Sequence, residues 1–436
     1  MKRKELLKTI IADNQSRPLP ALWPRTQTIP IGTGKIITLT GVRRSGKTYH
    51  LYEIMRSLQA TGIPADTMLY INFEDERLHL EGEDMDLILQ AFRELHPEAD
   101  LSNCYFFFDE IQEVAGWELF VDRLYETISR HIFITGSNSR LLSKEIATAL
   151  RGRTLNFEVY PLSFSEFLSI KQPGLNMYQS ADRARIVSHF DQFLAQGGFP
   201  AVTEQEDEDL RQKELQGYFD VMLLRDLVER YSVSSVAVLR YFCKRVIGAS
   251  AGEFSVNRVY NELKGNGYKV GRDTLYAYQE HCEAIYMACF VPRYDNSVVK
   301  SENSLRKPYV IDHGLGAALN FKFGNDAGRI LETVVALELI KQGKQIYYFQ
   351  DTNNECDFVV VCRAGVEKVI QVSFDISDPA TLRREVRGLV ACCRRLGVTE
   401  GYILTHDTES VSEVDGIAVK ILPVWKHCLV EAQHKQ

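Results

Sequence analysis

Short runs of β-branched and aromatic residues recur along the first third of the chain, separated by stretches in which apolar residues return every three or four positions. The runs occupy residues 36–40, 68–71, 105–108, 131–135 and 154–159. Such runs are typical of strands buried on both faces, and the stretches between them have helical periodicity. One stretch, 117–128, carries its apolar residues on a single stripe. The pattern predicts an α/β domain over residues 1–170 with a five-stranded parallel sheet.

The pattern changes in the middle of the chain. Residues 171–235 are helical in periodicity and predict a connector or lid. Within residues 236–312, one predicted helix covers 255–264, Gly-Asn-Gly follows it, and a second helix begins near Arg272. Two strand-like segments around a polar hairpin come next, so this region reads as helix, turn, helix and wing. Such a module can lay its second helix in a DNA groove, although winged helices also pack against ATPase domains or partner proteins. The basic side chains available for phosphate contacts are Lys264, Lys269, Arg272, Lys300, Arg306 and Lys307.

The strand at 36–40 leads directly into a phosphate-binding loop. The loop consists of Gly41, Val42, Arg43, Arg44, Ser45, Gly46, Lys47 and Thr48, which match the Gly-x4-Gly-Lys-Ser/Thr pattern. Its glycines let backbone N–H groups turn toward phosphates, and the following helix adds a favourable dipole. Lys47 is predicted to reach the β- and γ-phosphates, and Thr48 to ligate Mg²⁺. The loop accommodates ATP or GTP.

A P-loop requires acidic residues that hold the metal ion and orient the attacking water. Four aromatic residues at 105–108 predict a buried strand that ends in Asp109 and Glu110. We assign Asp109 to the magnesium ion and Glu110 to the water. After the fourth strand, Ser137 and Asn138 are predicted to contact the nucleotide or to cap a helix.

Arg153 lies just before the fifth strand, in the segment 150–153. An arginine at the edge of a nucleotide domain can reach the phosphates of a neighbouring subunit, and such arginine fingers accelerate hydrolysis about 10³- to 10⁵-fold. We predict this role for Arg153, with a surface ion pair as the alternative. The finger role implies a homo-oligomer.

The composition indicates the number of domains and the cellular compartment but does not identify a partner. The chain has 436 residues, a net charge of −7 and 45% hydrophobic residues, and this length predicts about three domains. Nine cysteines without Cys-x-x-Cys spacing fit a reducing compartment. Lys8 and Asp13 interrupt the first apolar stretch, and no apolar run reaches bilayer length. We predict a cytoplasmic protein that does not associate with membranes.

Several motifs together resemble a known family. These are the P-loop, Ile-Asn-Phe-Glu-Asp-Glu-Arg, Phe-Phe-Asp-Glu-Ile-Gln, Ile-Thr-Gly-Ser-Asn-Ser and Arg-Gly-Arg, followed later by Gly-Gly-Phe-Pro and Tyr-Val-Ile-Asp-His-Gly-Leu. The chain resembles prokaryotic AAA-type ATPases fused to a carboxyl-terminal domain of uncharacterised function. The resemblance implies ATP as the nucleotide, an AAA+ sheet, a winged helix, and a domain at 313–436 similar to PD-(D/E)xK nucleases.

The residues only partly satisfy the nuclease pattern. Glu332 lies on a predicted helix and Asp357 opens a predicted strand, but Gln371 and Ser373 stand where the second acid and the lysine are needed. Glu355 or Asp375 could substitute for the missing acid. We therefore expect a degenerate, nuclease-like αβ domain that serves binding or assembly.

Taken together, these features predict an Mg²⁺-dependent ATPase that couples its nucleotide state to the winged-helix and nuclease-like domains for recognition of DNA or a protein partner. One alternative is a slow nucleotide-controlled switch or scaffold. Another is a DNA-processing enzyme with residual nuclease activity.

Overall fold

The computed structural model describes residues 3–136, 150, 152–319 and 326–433. Ser137 and Asn138, predicted to contact the nucleotide, lie outside the described residues. The chain divides into two compact units, Met1–Tyr160 and Pro161–Gln436.

The amino-terminal unit is built on a parallel sheet. Its elements are α1 (Arg3–Ser16), β1 (Ile36–Thr40), α2 (Lys47–Ala60), β2 (Met68–Asn72), α3 (Asp86–Leu95), β3 (Tyr105–Asp109), α4 (Trp117–Thr127), β4 (Ile132–Gly136) and β5 (Thr154–Glu158). The strands are ordered β2-β3-β4-β1-β5, and every neighbouring pair is parallel. The predicted five-stranded parallel sheet is confirmed. Because the strands are parallel, the carboxyl ends of β1, β3 and β4 meet at one edge.

The aromatic residues of β3 explain why this sheet is covered on both faces. Phe106 and Phe108 pack into one core cluster with α1, α3 and α4, whereas Phe107 packs into another with α2. Phe107 also stacks on Phe133 with ring centres 4.9 Å apart. The apolar stripe predicted on α4 is likewise buried, beginning at Trp117. Alternate residues of a strand point to opposite faces, so this strand needs apolar residues at every position.

The carboxyl-terminal unit begins with helices and ends in a mixed sheet. Its elements are α5 (Phe164–Lys171), α6 (Ser180–Gln196), α7 (Pro200–Glu204), α8 (Glu208–Val221), a π-helical segment (Met222–Glu229), α9 (Val236–Gly248), α10 (Val256–Gly265), α11 (Arg272–Ala284), β6 (Ala288–Val291), α12 (Val298–Glu302), β7 (Lys307–Val310), α13 (Gly314–Ala318), α14 (Ala327–Lys341), β8 (Gln345–Gln350), β9 (Glu355–Cys362), β10 (Gly365–Val372), α15 (Pro379–Leu396), β11 (Glu400–Thr405), β12 (Ser410–Val414), β13 (Ile417–Pro423) and α16 (Val424–Gln433).

Six of these strands form a sheet in the order β12-β13-β11-β10-β9-β8. One face packs with α14 and α16, and the other with α15. Strands β6 and β7 form a separate antiparallel pair. Tyr309 of β7 is buried in the same core cluster as Phe358 of β9, so this pair is packed into the core of the sheet.

Candidate functional site

The P-loop joins β1 to α2 and is held close to the backbone of Val159, the residue that follows β5. A Cβ placed on Gly41 would lie 2.1 Å from the carbonyl oxygen of Val159, so only glycine fits there. Arg44 and Gly46 have positive φ angles of 66° and 103°. These conformations turn the loop sharply before α2 begins. At Arg44 the positive φ strains the backbone, whereas a glycine would adopt it without strain.

Polar groups of the loop are enclosed within it. Lys47 is only 4% exposed, and its Nζ donates to the carbonyl oxygens of Gly41 at 3.2 Å and Val42 at 3.3 Å. The hydroxyl of Ser45 is buried and has no hydrogen-bond partner among the described residues. Within the same described part of the chain, no side chain caps the amino terminus of α2 at Gly46. Donors at this helix end therefore remain available to an anion.

Asp109 lies at the end of β3 directly beside the P-loop. Its Oδ2 accepts hydrogen bonds from the hydroxyls of Thr48 and Tyr70, each at 2.8 Å. Its Oδ1 accepts from the hydroxyl of Thr135 on β4. Burial and the neighbouring charge of Glu110 raise the pKa of Asp109, although these three donors oppose the rise. The predicted metal-binding pair, Thr48 and Asp109, is thus in direct contact.

Glu110 follows in a left-handed conformation with φ of 51°. Its backbone N–H donates to the Thr135 hydroxyl at 2.8 Å, which fixes this turn. Its Oε1 lies 3.3 Å from Lys47 Nζ, and its Oε2 accepts from Gln112 Nε2 at 2.6 Å. Burial by itself would raise the pKa of Glu110, but the positive charge of Lys47, the hydrogen bond from Gln112 and the charge of Arg43 together lower it. The carboxylate is therefore ionised at neutral pH.

Three residues around this site were not among the predicted site residues. Tyr70 and Thr135 reach Asp109 because β2 and β4 flank β3, and this order is not encoded in any local pattern. Arg25, in the segment before β1, donates to the carbonyl oxygens of Ser45 at 3.0 Å and Tyr160 at 2.8 Å. The only sequence signal was the polar residue Thr135 at the end of an otherwise apolar strand.

Arg43 of the P-loop and the predicted finger, Arg153, lie in different surroundings. Arg43 forms an ion pair with Glu74 at 2.6 Å. Arg153 precedes β5, at the sheet edge opposite the P-loop, and its backbone carbonyl accepts from the N–H of Ile36. The Arg153 guanidinium pairs with Asp122 and with a glutamate, both on α4. A finger role would require these pairs to break, and it stays a prediction.

The carboxyl-terminal unit contains a second cluster of charged residues. Lys307 Nζ lies 2.7 Å from Glu355 Oε1 and 3.4 Å from both Glu332 Oε1 and Asp357 Oδ1. The Tyr309 hydroxyl donates to Glu332 Oε1 at 2.7 Å. Lys307 is only 3% exposed, so its predicted availability for DNA phosphates is wrong. The sequence pattern had placed it on a polar hairpin, but β7 turns it inward.

The remaining residues of the nuclease pattern lie beside this cluster. Gln371 Oε1 accepts the backbone N–H of Asp357 at 3.2 Å, and its Nε2 donates to Glu385 at 2.7 Å. Of the two acids considered as substitutes, Glu355 joins the cluster, whereas Asp375 binds Ser377 in its own turn. A lysine is therefore present at this site, but it comes from β7 and not from β10.

The fold and the loop define the class of the amino-terminal unit. It is an AAA-type P-loop domain, and domains of this class bind nucleotides. The family model described as an AAA domain matches residues 33–168. Two domains of unknown function match residues 187–326 (DUF8612) and 327–426 (DUF4143).

The chain belongs to the same family as the uncharacterized protein MJ1544 of Methanocaldococcus jannaschii. The two are 32% identical over 441 residues, which cover 98% of this chain and 96% of the relative. An uncharacterized protein of Haemophilus influenzae is 30% identical over 400 residues, covering 90% of this chain and 94% of that protein. The solved Walker-type ATPase Paby2304 of Pyrococcus abyssi is 15% identical, with a TM-score of 0.42, over 70% of this chain and 99% of that chain.

One property follows from the helices themselves. Within residues 3–433, apart from the gaps given above, the structure contains no helix that combines the length and the apolar character needed to cross a membrane.

Proposed function

We propose that this chain is an Mg²⁺-dependent ATPase whose nucleotide state controls recognition by its carboxyl-terminal domains. The observation that carries the proposal is the pairing of the two acids at the carboxyl end of β3 with P-loop residues: Asp109 with Thr48 at 2.8 Å, and Glu110 with Lys47 at 3.3 Å. A purely structural P-loop has no need of two acids in these positions.

The residues present suit a magnesium nucleotide. The Thr48 hydroxyl and the Asp109 carboxylate are oxygen ligands, which Mg²⁺ prefers, and a site with one or two protein ligands is usual when phosphates and water complete the shell. The enclosed Ser45 hydroxyl and the uncapped start of α2 suit phosphate oxygens. Bound Mg²⁺ would neutralise charge on the transferred phosphoryl group.

Each protein group has a defined part in the reaction. Lys47 lies at the centre of the loop, where its ammonium counters negative charge on the β- and γ-phosphates. The ionised Glu110 carboxylate accepts a proton from the attacking water while the bond between the γ-phosphorus and the bridging oxygen breaks. The products are ADP and phosphate. Thr135 holds the backbone of Glu110 and the carboxylate of Asp109 in one geometry.

Glu110→Gln tests the ATPase proposal. This change keeps the shape of the side chain but removes the proton acceptor, so we expect ATP binding to persist and turnover to fall about 100-fold or more. Glu118→Gln, on the first turn of α4, is the matched control and should hydrolyse ATP normally. Failure of the wild-type chain to bind ATP would refute the proposal. Tight ATP binding with negligible wild-type turnover would instead favour the nucleotide-controlled switch.

For the remaining chain we propose a helical connector at 171–235, a winged helix at 236–312 and a nuclease-like domain at 313–436. The helix-turn-helix of α10 and α11 followed by the β6–β7 pair supports the winged helix. The order α14-β8-β9-β10-α15-β11 around the sheet, with an acid on α14 and on β9, supports the nuclease-like domain. Gln371 in the position of the second acid supports a loss of cleavage.

DNA binding is a second candidate function. Lys269 and Arg272, at the entrance to α11, are exposed, and the first turn of such a helix is where groove contacts are made. We expect Lys269→Glu combined with Arg272→Glu to weaken binding of duplex DNA at least tenfold in a titration at fixed salt. Lys344→Glu, in the turn before β8, is the control. Equal binding by the wild type and the double variant would exclude this surface, and failure of the wild type to bind DNA would favour a protein partner.

A further inference from the structure

The ammonium of Lys307 occupies the centre of the carboxylate cluster in the carboxyl-terminal unit. Its Nζ lies 2.7 Å from Glu355 Oε1 and 3.4 Å from Glu332 Oε1 and Asp357 Oδ1. It also lies 5.4 Å from the centre of the ring of Tyr348, which is itself buried. Three carboxylates and an aromatic face supply this ammonium with ample counter-charge.

Two of the three carboxylates are held in place by other bonds. Glu355 and Asp357 are two residues apart on β9 and therefore point to the same face of the sheet. Asp357 Oδ2 accepts the backbone N–H of Val372 at 2.9 Å, and Glu332 accepts the hydroxyl of Tyr309 at 2.7 Å. One oxygen of each acid, Glu332 Oε1, Glu355 Oε1 and Asp357 Oδ1, faces the ammonium of Lys307, and Glu332 Oε1 is also the atom that accepts from Tyr309. Converging carboxylate oxygens are the environment that divalent hard cations select.

We propose that Lys307 is a built-in cation that fills a latent divalent-cation site formed by Glu332, Glu355 and Asp357. The inference rests on the proposed nuclease-like character of residues 313–436, and it explains how that site is kept from metal-dependent chemistry. The ammonium and a metal ion exclude each other, because both need the same three oxygens and like charges repel.

Binding of Mn²⁺ to the nucleotide-free full chain tests the proposal, with free Mn²⁺ measured by electron paramagnetic resonance. Wild type and Asp357→Asn should bind the same number of ions, because the ammonium already fills the site. Lys307→Met should gain one Mn²⁺ site, and Lys307→Met combined with Asp357→Asn should lose it again. Lys344→Met removes a surface lysine paired with Glu367 at 2.6 Å and should gain none.

Two results would overturn the proposal: Mn²⁺ binding by the wild type that Asp357→Asn abolishes, or no gain in Lys307→Met. If Lys307→Met melts too early for titration, a melting-temperature cycle decides. Removal of the ammonium leaves carboxylates unpaired, so Glu332→Gln should raise the melting temperature of Lys307→Met but not that of the wild type. Absence of this rescue overturns the proposal as well. The assays contain no ATP, so their failure is distinct from a failure of ATP turnover.

Discussion

Tyr70→Phe removes a single hydroxyl from the network around Asp109 and should weaken the use of Mg²⁺ without disturbing the fold. The hydroxyl donates to Asp109 Oδ2 at 2.8 Å in a buried setting. A hydrogen bond to a charged group contributes about 1.5 to 3 kcal/mol. Because Thr48 and Thr135 also donate to this carboxylate, we expect the lower end of that range. One factor of ten corresponds to about 1.4 kcal/mol.

The assay is steady-state ATP turnover at increasing Mg²⁺ concentration. We expect about tenfold more Mg²⁺ to be needed for half-maximal turnover in Tyr70→Phe, with ATP binding in the presence of a chelator unchanged. Tyr52→Phe is the matched control, because the Tyr52 hydroxyl contacts that of Tyr70 at 3.3 Å and not the carboxylate. A Tyr70→Phe variant with the Mg²⁺ dependence of the wild type would refute the positioning of Asp109 by Tyr70.

Three further predictions address other parts of the molecule. Gly41→Ala places a Cβ 2.1 Å from the Val159 carbonyl oxygen, so the loop must shift and calorimetry should show ATP affinity reduced about tenfold or more. Unchanged ATP affinity would contradict the close approach of the loop to Val159. If the wild type forms oligomers in ATP, Arg153→Ala should bind ATP normally but hydrolyse it about 10³-fold more slowly. Unchanged turnover with a lowered melting temperature would show that Arg153 stabilises the fold through its ion pair with Asp122 instead. Burial lowers the pKa of His427 from 6.5 to about 4, so as the pH falls the unfolded chain takes up this proton before the folded chain does. The contribution of His427 to the free energy of unfolding is therefore fully present above pH 6.5 and falls by about 1 kcal/mol per pH unit toward pH 4. Urea unfolding at pH 7.5 and pH 5 measures this loss, and an equal loss in His427→Gln would exclude the histidine as its source.

The amino-terminal sheet was predictable because its signals are local. Each strand is a short apolar run, and 105–108 must be apolar throughout because β3 is buried on both faces. The P-loop is a contiguous motif, and so is the pair Asp109 and Glu110. Their meeting at one edge follows from the parallel arrangement alone.

The partners of these residues were not predictable in the same way. Tyr70 and Thr135 reach Asp109 only because β2 and β4 are the neighbours of β3, and the order of strands in a sheet is a long-range property. Lys307 is a stronger case, since 25 and 50 residues separate it from Glu332 and Asp357. A lysine next to a polar hairpin has the sequence pattern of a surface residue, and only the packing of β7 reverses that interpretation.

The position of Lys307 bears on where nucleotide-dependent movement can occur. A motion that separated β7 from β9 would leave a buried lysine and buried carboxylates unpaired, at a cost of about 3 to 5 kcal/mol. This cost is comparable to the differential affinity of about 5.5 kcal/mol that a ligand needs to shift a two-state equilibrium from 1:99 to 99:1. We therefore expect the β6–β7 pair and the carboxyl-terminal sheet to move as one body. Hydrogen exchange with and without ATP should leave the amides of Lys307–Val310 and Glu355–Cys362 equally protected, and ATP-dependent loss of protection confined to β7 would show that the lysine pairing breaks during the cycle.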